Sequence, residues 1–161
     1  MNTYNLRNNY LYFFKFLFIL IISSHLVEIL CPYLIGSEKC EVKYFDKTEG
    51  LIKIFTISVV LGPLLETFLF QFIPIELYYK LFRKKKNSKW VFIGVSSIIF
   101  GISHNYNIIT IFDAIFAGVL FSVLYIHFKN LGLNGFLFTF LLHAVYNLYA
   151  FIIDDFLNLN Y

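Results

Sequence analysis

The chain has 161 residues, of which 59% are hydrophobic and 14% charged; a soluble domain carries about 25% charged residues. That deficit argues against an ordinary soluble domain, and a formal net charge of +3 gives no reason to expect a nucleic-acid partner. The length suits a single helical unit spanning residues 1–161, with no room for a separate soluble domain. Twenty-one Phe and twelve Tyr fit a lipid-facing surface with interfacial belts, so membrane lipid is the expected surrounding.

Five apolar stretches follow one another along the chain. The first, residues 11–30, follows Arg7 as a signal peptide would, but Lys15 lies inside it and no small-residue cleavage site follows, so it reads as a retained span. The second, residues 51–82, is long enough to tilt, and Pro63 and Pro74 each remove a backbone donor and predict kinks. The third, residues 90–104, is short and is expected to end within the membrane or the bundle. The fourth covers residues 108–128 and the fifth 131–153. The fold class read from this pattern is all-α: a polytopic membrane protein of about five transmembrane helices.

Orientation follows from the basic residues. Arg83-Lys84-Lys85-Lys86-Asn87-Ser88-Lys89 is the strongest charge feature and is expected on the cytoplasmic side. Arg7 and Lys129 then fall on that side too. The loop between residues 31 and 50 lies outside, its Lys39, Lys43 and Lys47 offset by Glu38, Glu41, Asp46 and Glu49. The expected topology is N-terminus in and C-terminus out, in a bacterial cytoplasmic membrane. Cys31 and Cys40 both face outside, where a disulfide is possible, but cysteines near a membrane are often free and free thiols are the favoured reading.

Ionisable and amide side chains inside a bilayer cost about 2.5–3.5 kcal/mol for a charge at a helix centre and therefore call for an explanation. Three spans carry them: Glu66 in the second, His104 closing the third, His143 and Asn147 in the fifth. At a rise of about 1.5 Å per residue, Glu66 lies roughly 25 Å from Arg83, His104 about 21 Å from Trp90, and His143 about 18 Å from Leu131. The depths are similar, as a shared site requires. His143 and Asn147 are four residues apart and share a helical face, and the same spacing sets Phe100 beside His104.

Three segments carry a resemblance: Glu66-Thr67-Phe68-Leu69-Phe70-Gln71, Phe100-Gly101-Ile102-Ser103-His104, and His143-Ala144-Val145-Tyr146-Asn147. In order, they resemble the motifs Glu-Glu-x-x-x-Arg, Phe-x-x-x-His and His-x-x-x-Asn of the CAAX protease and bacteriocin-processing family, intramembrane glutamic proteases related to the type II CAAX prenyl endopeptidase. The resemblance covers residues 51–153. It implies that Glu66 activates water, that His104 positions or deprotonates that water, and that His143 and Asn147 stabilise the oxyanion of a tetrahedral intermediate. It implies a peptide or membrane-protein substrate, and neither cofactor nor metal. The chain departs from the motif at Thr67, where the family has a second glutamate, and at Gln71, where it has arginine. One acid and one base are lost together, and Thr67 and Gln71 are expected to replace that contact with a neutral hydrogen bond.

The chemistry is reasonable apart from the resemblance. A carboxylate in a low-dielectric site is a stronger base than in water, and donors fixed in a dry pocket stabilise developing negative charge. Two other readings stay open. The same side chains can act as interhelical hydrogen bonds at about 0.6 kcal/mol each, in a non-catalytic protein for peptide binding, immunity or scaffolding. Two histidines and a glutamate also make a zinc set, although no His-Glu-x-x-His element is present. Ser103 adjoins His104, but neighbouring helical positions do not face each other, and no Gly-x-Ser-x-Gly element occurs. His25 and His127 are expected at the interfaces.

Overall fold

Where no water serves the backbone, a spanning segment must close its hydrogen bonds internally, and each of the five apolar stretches does so as a helix. The computed structural model describes residues 3–40, 50–82 and 88–157. Helix α1 runs Thr3–Ile35 and α2 runs Leu51–Phe82. Helix α3 is Ser88–Ser103, and α4 is Ile108–Asn130. Helix α5 is Gly135–Ala150, continued by a π-helical turn over Phe151–Phe156. Four of these helices are long and apolar enough to cross a membrane, and α3 is the shorter one. The all-α fold of five helices therefore stands as read. Helix α1 continues past residue 30 to Ile35, carrying Pro32 within it, and α5 begins at Gly135, capped by Asn134, whose side chain accepts from Leu137 N at 3.1 Å.

The basic residues Arg83, Lys84, Lys85 and Lys86 lie outside the described residues, as do Glu41, Lys43, Asp46, Lys47, Glu49 and the side chain of Arg7. The expected topology therefore has no structural counterpart here.

The prolines do more than kink α2. That helix alternates α turns (Leu51–Phe55, Gly62–Glu66, Ile73–Leu77) with π turns (Thr56–Leu61, Thr67–Phe72, Tyr78–Phe82). Pro63 and Pro74 each sit just after a π turn. A wider turn takes up the missing N–H and the ring clash that proline brings. The carbonyls left over find partners on neighbouring helices. Phe70, four residues before Pro74, offers its carbonyl to the hydroxyl of Ser96 on α3.

Helices α3 and α4 pack closely enough for their backbones to meet at two glycines. A Cβ on Gly101 would stand 2.2 Å from Ile115 Cγ1 and 2.9 Å from the Ile111 carbonyl; one on Gly118 would stand 2.9 Å from Ser97 Cα. Small residues allow this contact, the usual device of membrane helix pairs. The core around the crossing holds Phe100, Ala114, Ala117, Phe121 and Leu142, with Phe16 and Leu20 from α1. On its other side α1 exposes Leu11, Phe14, Phe18, Ile22 and Leu26, a stripe at helical spacing suited to lipid.

Two polar clasps hold the ends. Lys129 on α4 donates to both carboxylate oxygens of Glu76 on α2 at 2.6 and 2.9 Å, and Tyr125 donates to the same carboxylate at 2.6 Å. At the opposite end Cys31 and Cys40 form a disulfide. The bridge corrects the expectation of free thiols, and it ties the end of α1 to a 3-10 turn over Ser37–Lys39. Asn107 then does two jobs: its side chain caps α4 by accepting from Thr110 N at 2.9 Å and donates to the Lys39 carbonyl at 3.2 Å.

Candidate active site

Glu66 closes the α turn that follows Pro63. Its Oε2 lies 3.5 Å from His143 Nε2 and 3.9 Å from His104 Nε2. Three helices thus bring together the three ionisable groups that the sequence placed at one depth. The side chains of Glu66 and His104 are 31% and 25% exposed, that of His143 only 4%. His143 is therefore the sealed back of the site, and Glu66 and His104 form its open side.

His104 follows the last residue of α3, where the chain turns. Its Nδ1 lies 2.9 Å from the Phe100 carbonyl. A carbonyl only accepts, so this bond puts a proton on Nδ1 and leaves Nε2 facing Glu66. Phe100 is buried between the two histidines, its ring centroid 4.5 Å from that of His104 and 5.7 Å from that of His143. Phe121 stacks on His143 at 4.6 Å. These aromatic rings pack against both imidazoles and hold them in place.

Ser103 corrects one expectation. Its hydroxyl does approach His104, 3.2 Å from Nδ1, because the helix has ended and the chain folds back. The hydroxyl donates to the Phe100 carbonyl at 2.6 Å, and the nitrogen it approaches is the one already shared with that carbonyl.

Asn147 has a partner outside the site. Its Nδ2 donates to the Ser58 carbonyl at 2.8 Å. The cause lies in the π turn: Gly62 N–H bonds back to the Ile57 carbonyl, so in the same register Ser58 would be served by residue 63, a proline without an N–H. Asn147 supplies the missing donor, and its other amide hydrogen is not needed for that bond.

Thr67 and Gln71 are fully buried. The neutral hydrogen bond expected between them is not made: Thr67 Oγ1 and both polar atoms of the Gln71 amide have no partner among the described residues. Both lie on the π turn Thr67–Phe72, whose wider pitch takes positions four apart out of the alignment they have in an α-helix.

One acid escaped the sequence reading. Asp113 on α4 lies near Ser23 of α1 and within electrostatic reach of His104, while the Ser23 hydroxyl donates to the Leu20 carbonyl at 3.0 Å. A carboxylate inside an apolar span was signal enough. Nor are the other two histidines idle at the surface. His25 Nε2 is 2.5 Å from the Tyr149 hydroxyl, and His127 stacks on Tyr12 at 4.0 Å. As for metal, among the described residues no three His, Cys, Asp or Glu side chains are grouped as a ligand set.

The family model described as type II CAAX prenyl endopeptidase Rce1-like matches residues 48–149. The chain belongs to this family. The Rce1-like match includes Glu66, His104, His143 and Asn147 and leaves α1 outside it. As a family member with four candidate spans, it is an integral membrane protein. Neither the curated proteins nor the solved structures contain a match to it.

Proposed function

We propose that this chain is a metal-independent glutamic endopeptidase that cleaves a membrane-associated peptide or protein within or beside the bilayer. What carries the reading is the convergence of His143 Nε2 and His104 Nε2 on one carboxylate oxygen of Glu66, at 3.5 and 3.9 Å, in a chain of the Rce1-like family. The longer distance exceeds a direct hydrogen bond and suits a water held between acid and base.

In this mechanism Glu66 takes a proton from that water while the oxygen attacks the scissile carbonyl carbon, and His104 orients the attacking water through Nε2. The carbonyl oxygen becomes an oxyanion. The N–H of His143 and the second amide hydrogen of Asn147 stabilise it in a pocket walled by Phe100 and Phe121. Collapse of the intermediate breaks the C–N bond, and the proton on Glu66 passes to the leaving amine. The positive-inside bias of residues 83–89 supports a cytoplasmic N-terminus and an external C-terminus, in a bacterial cytoplasmic membrane.

The altered motif at Thr67 and Gln71 favours a second reading, a peptide-binding or scaffolding protein of the same fold. Purified wild type, Glu66→Ala and His104→Ala are compared in liposomes on lipidated and unlipidated peptides with a chelator present. Cleavage by wild type alone supports the glutamic protease. Cleavage abolished by the chelator supports the zinc reading, and a folded wild type that binds peptides without cutting them supports the second.

A further inference from the structure

Six buried side-chain polar atoms have no partner among the described residues, and five of them lie on two facing helices: Thr67 Oγ1, Gln71 Nε2 and Oε1, Thr139 Oγ1 and His143 Nδ1. Thr67, Gln71 and Thr139 are 0% exposed and His143 is 3% exposed. Buried polar groups are almost always paired, and lipid offers no alternative partner.

Two contacts fix how the helices face each other. Glu66 meets His143, and the Phe72 ring meets the Phe136 ring at 5.8 Å. Residue numbers rise along α2 as they fall along α5, so the pair is antiparallel. Thr67 and Gln71 fall between these marks on α2, and Thr139 falls between them on α5. Thr139 and His143 are four apart and share a face.

The five atoms also complement one another chemically. Gln71 has one acceptor and one donating end, the two threonine hydroxyls can donate, and the neutral imidazole has one nitrogen to be served. We propose that Gln71 is a positioning residue that sets the proton of His143. Enclosed water links these atoms: the hydroxyls of Thr67 and Thr139 donate through it towards Gln71 Oε1, and Gln71 Nε2–H donates through it towards His143 Nδ1. With Nδ1 accepting, the ring proton sits on Nε2 and points at the Glu66 carboxylate. The opposite amide orientation would set a bare Nε2 against a carboxylate oxygen 3.5 Å away, two acceptors face to face. The role in catalysis rests on the protease reading; the position of the proton does not.

The test is 15N spectroscopy of the imidazole rings in the full chain, in micelles, alongside peptide cleavage. Wild type is expected to show His143 as a single form with the proton on Nε2. Gln71→Met is expected to mix the two ring forms and to lower kcat about tenfold with KM nearly unchanged. Thr67→Glu/Gln71→Arg, in which the arginine can only donate, is expected to restore the Nε2–H form. A wild-type spectrum with the proton on Nδ1 overturns the proposal whatever the variants do, as does a folded Gln71→Met with an unaltered His143 signal. If no peptide is cleaved by any sample, the protease reading fails while the spectra still judge Gln71.

Discussion

His143 offers its Nε2 to Glu66 from a sealed position, 4% exposed, whereas His104 reaches the same oxygen from a side chain 25% exposed. An imidazole-directed acylating reagent needs access to a ring nitrogen, so the two histidines should react in a fixed order. With diethyl pyrocarbonate, peptide mapping is expected to find His104 modified and His143 spared, and cleavage activity should fall with the His104 adduct. Equal modification of both in folded protein would contradict a sealed back wall.

The site was legible because the bilayer makes polar residues expensive. Glu66, His104 and His143 stood out from apolar runs, and counting residues at a helical rise put them at one depth, where the structure joins them within 3.9 Å. Position along a helix is local information. What could not be read was the change of period inside α2. Spacing by four assumed an α-helix, so Thr67 and Gln71 were expected to bond to each other, and the π turn that separates their polar atoms depends on Pro74, Ser96 and the packing of α3. Asn147 shows the same limit. Its motif position was visible, but its duty to the Ser58 carbonyl arises only from a proline on another helix. Asp113 obeys the same rule as Glu66, but the groups near it, Ser23 and His104, come from the first and third stretches, which no local spacing connects.

Because Asn147 replaces the donor that Pro63 lacks, the two positions should be energetically coupled. Asn147→Leu is expected to cost about 1–3 kcal/mol by leaving the Ser58 carbonyl unpaired. In a Pro63→Ala background the backbone can serve that carbonyl, and the same change should cost less. A double-mutant cycle from reversible unfolding in mixed micelles measures the difference. Additive effects would mean that the Asn147 bond is incidental to the turn.

The α3–α4 crossing gives a test by volume. At Gly101 a methyl group would overlap the Ile111 carbonyl and Ile115, while at Gly94 nothing lies within 4 Å. Gly101→Ala should force the helices apart and destabilise by about 1–3 kcal/mol. Gly94→Ala should be neutral or stabilise by up to about 1 kcal/mol, because alanine is the better helix former. Thermal unfolding of both variants ranks them, and a tolerated Gly101→Ala would show that the close approach is not required.

The disulfide between Cys31 and Cys40 closes a loop with a sequence separation of 9 at the end where Asn107 holds the Lys39 carbonyl. Cross-linking so short a loop stabilises by about 2–3 kcal/mol through the unfolded chain. A reducing agent should therefore lower the Tm of wild type and leave Cys31→Ser/Cys40→Ser unchanged, with the double variant matching reduced wild type. Asn107→Ala removes both the cap and the tether, so its cost should exceed the roughly 1 kcal/mol of a lost cap alone only while the disulfide is intact. If reduction leaves Tm and the cost of Asn107→Ala as they were, the bridge does not hold this turn against α4, and the Lys39 contact must stand on the backbone of the turn itself.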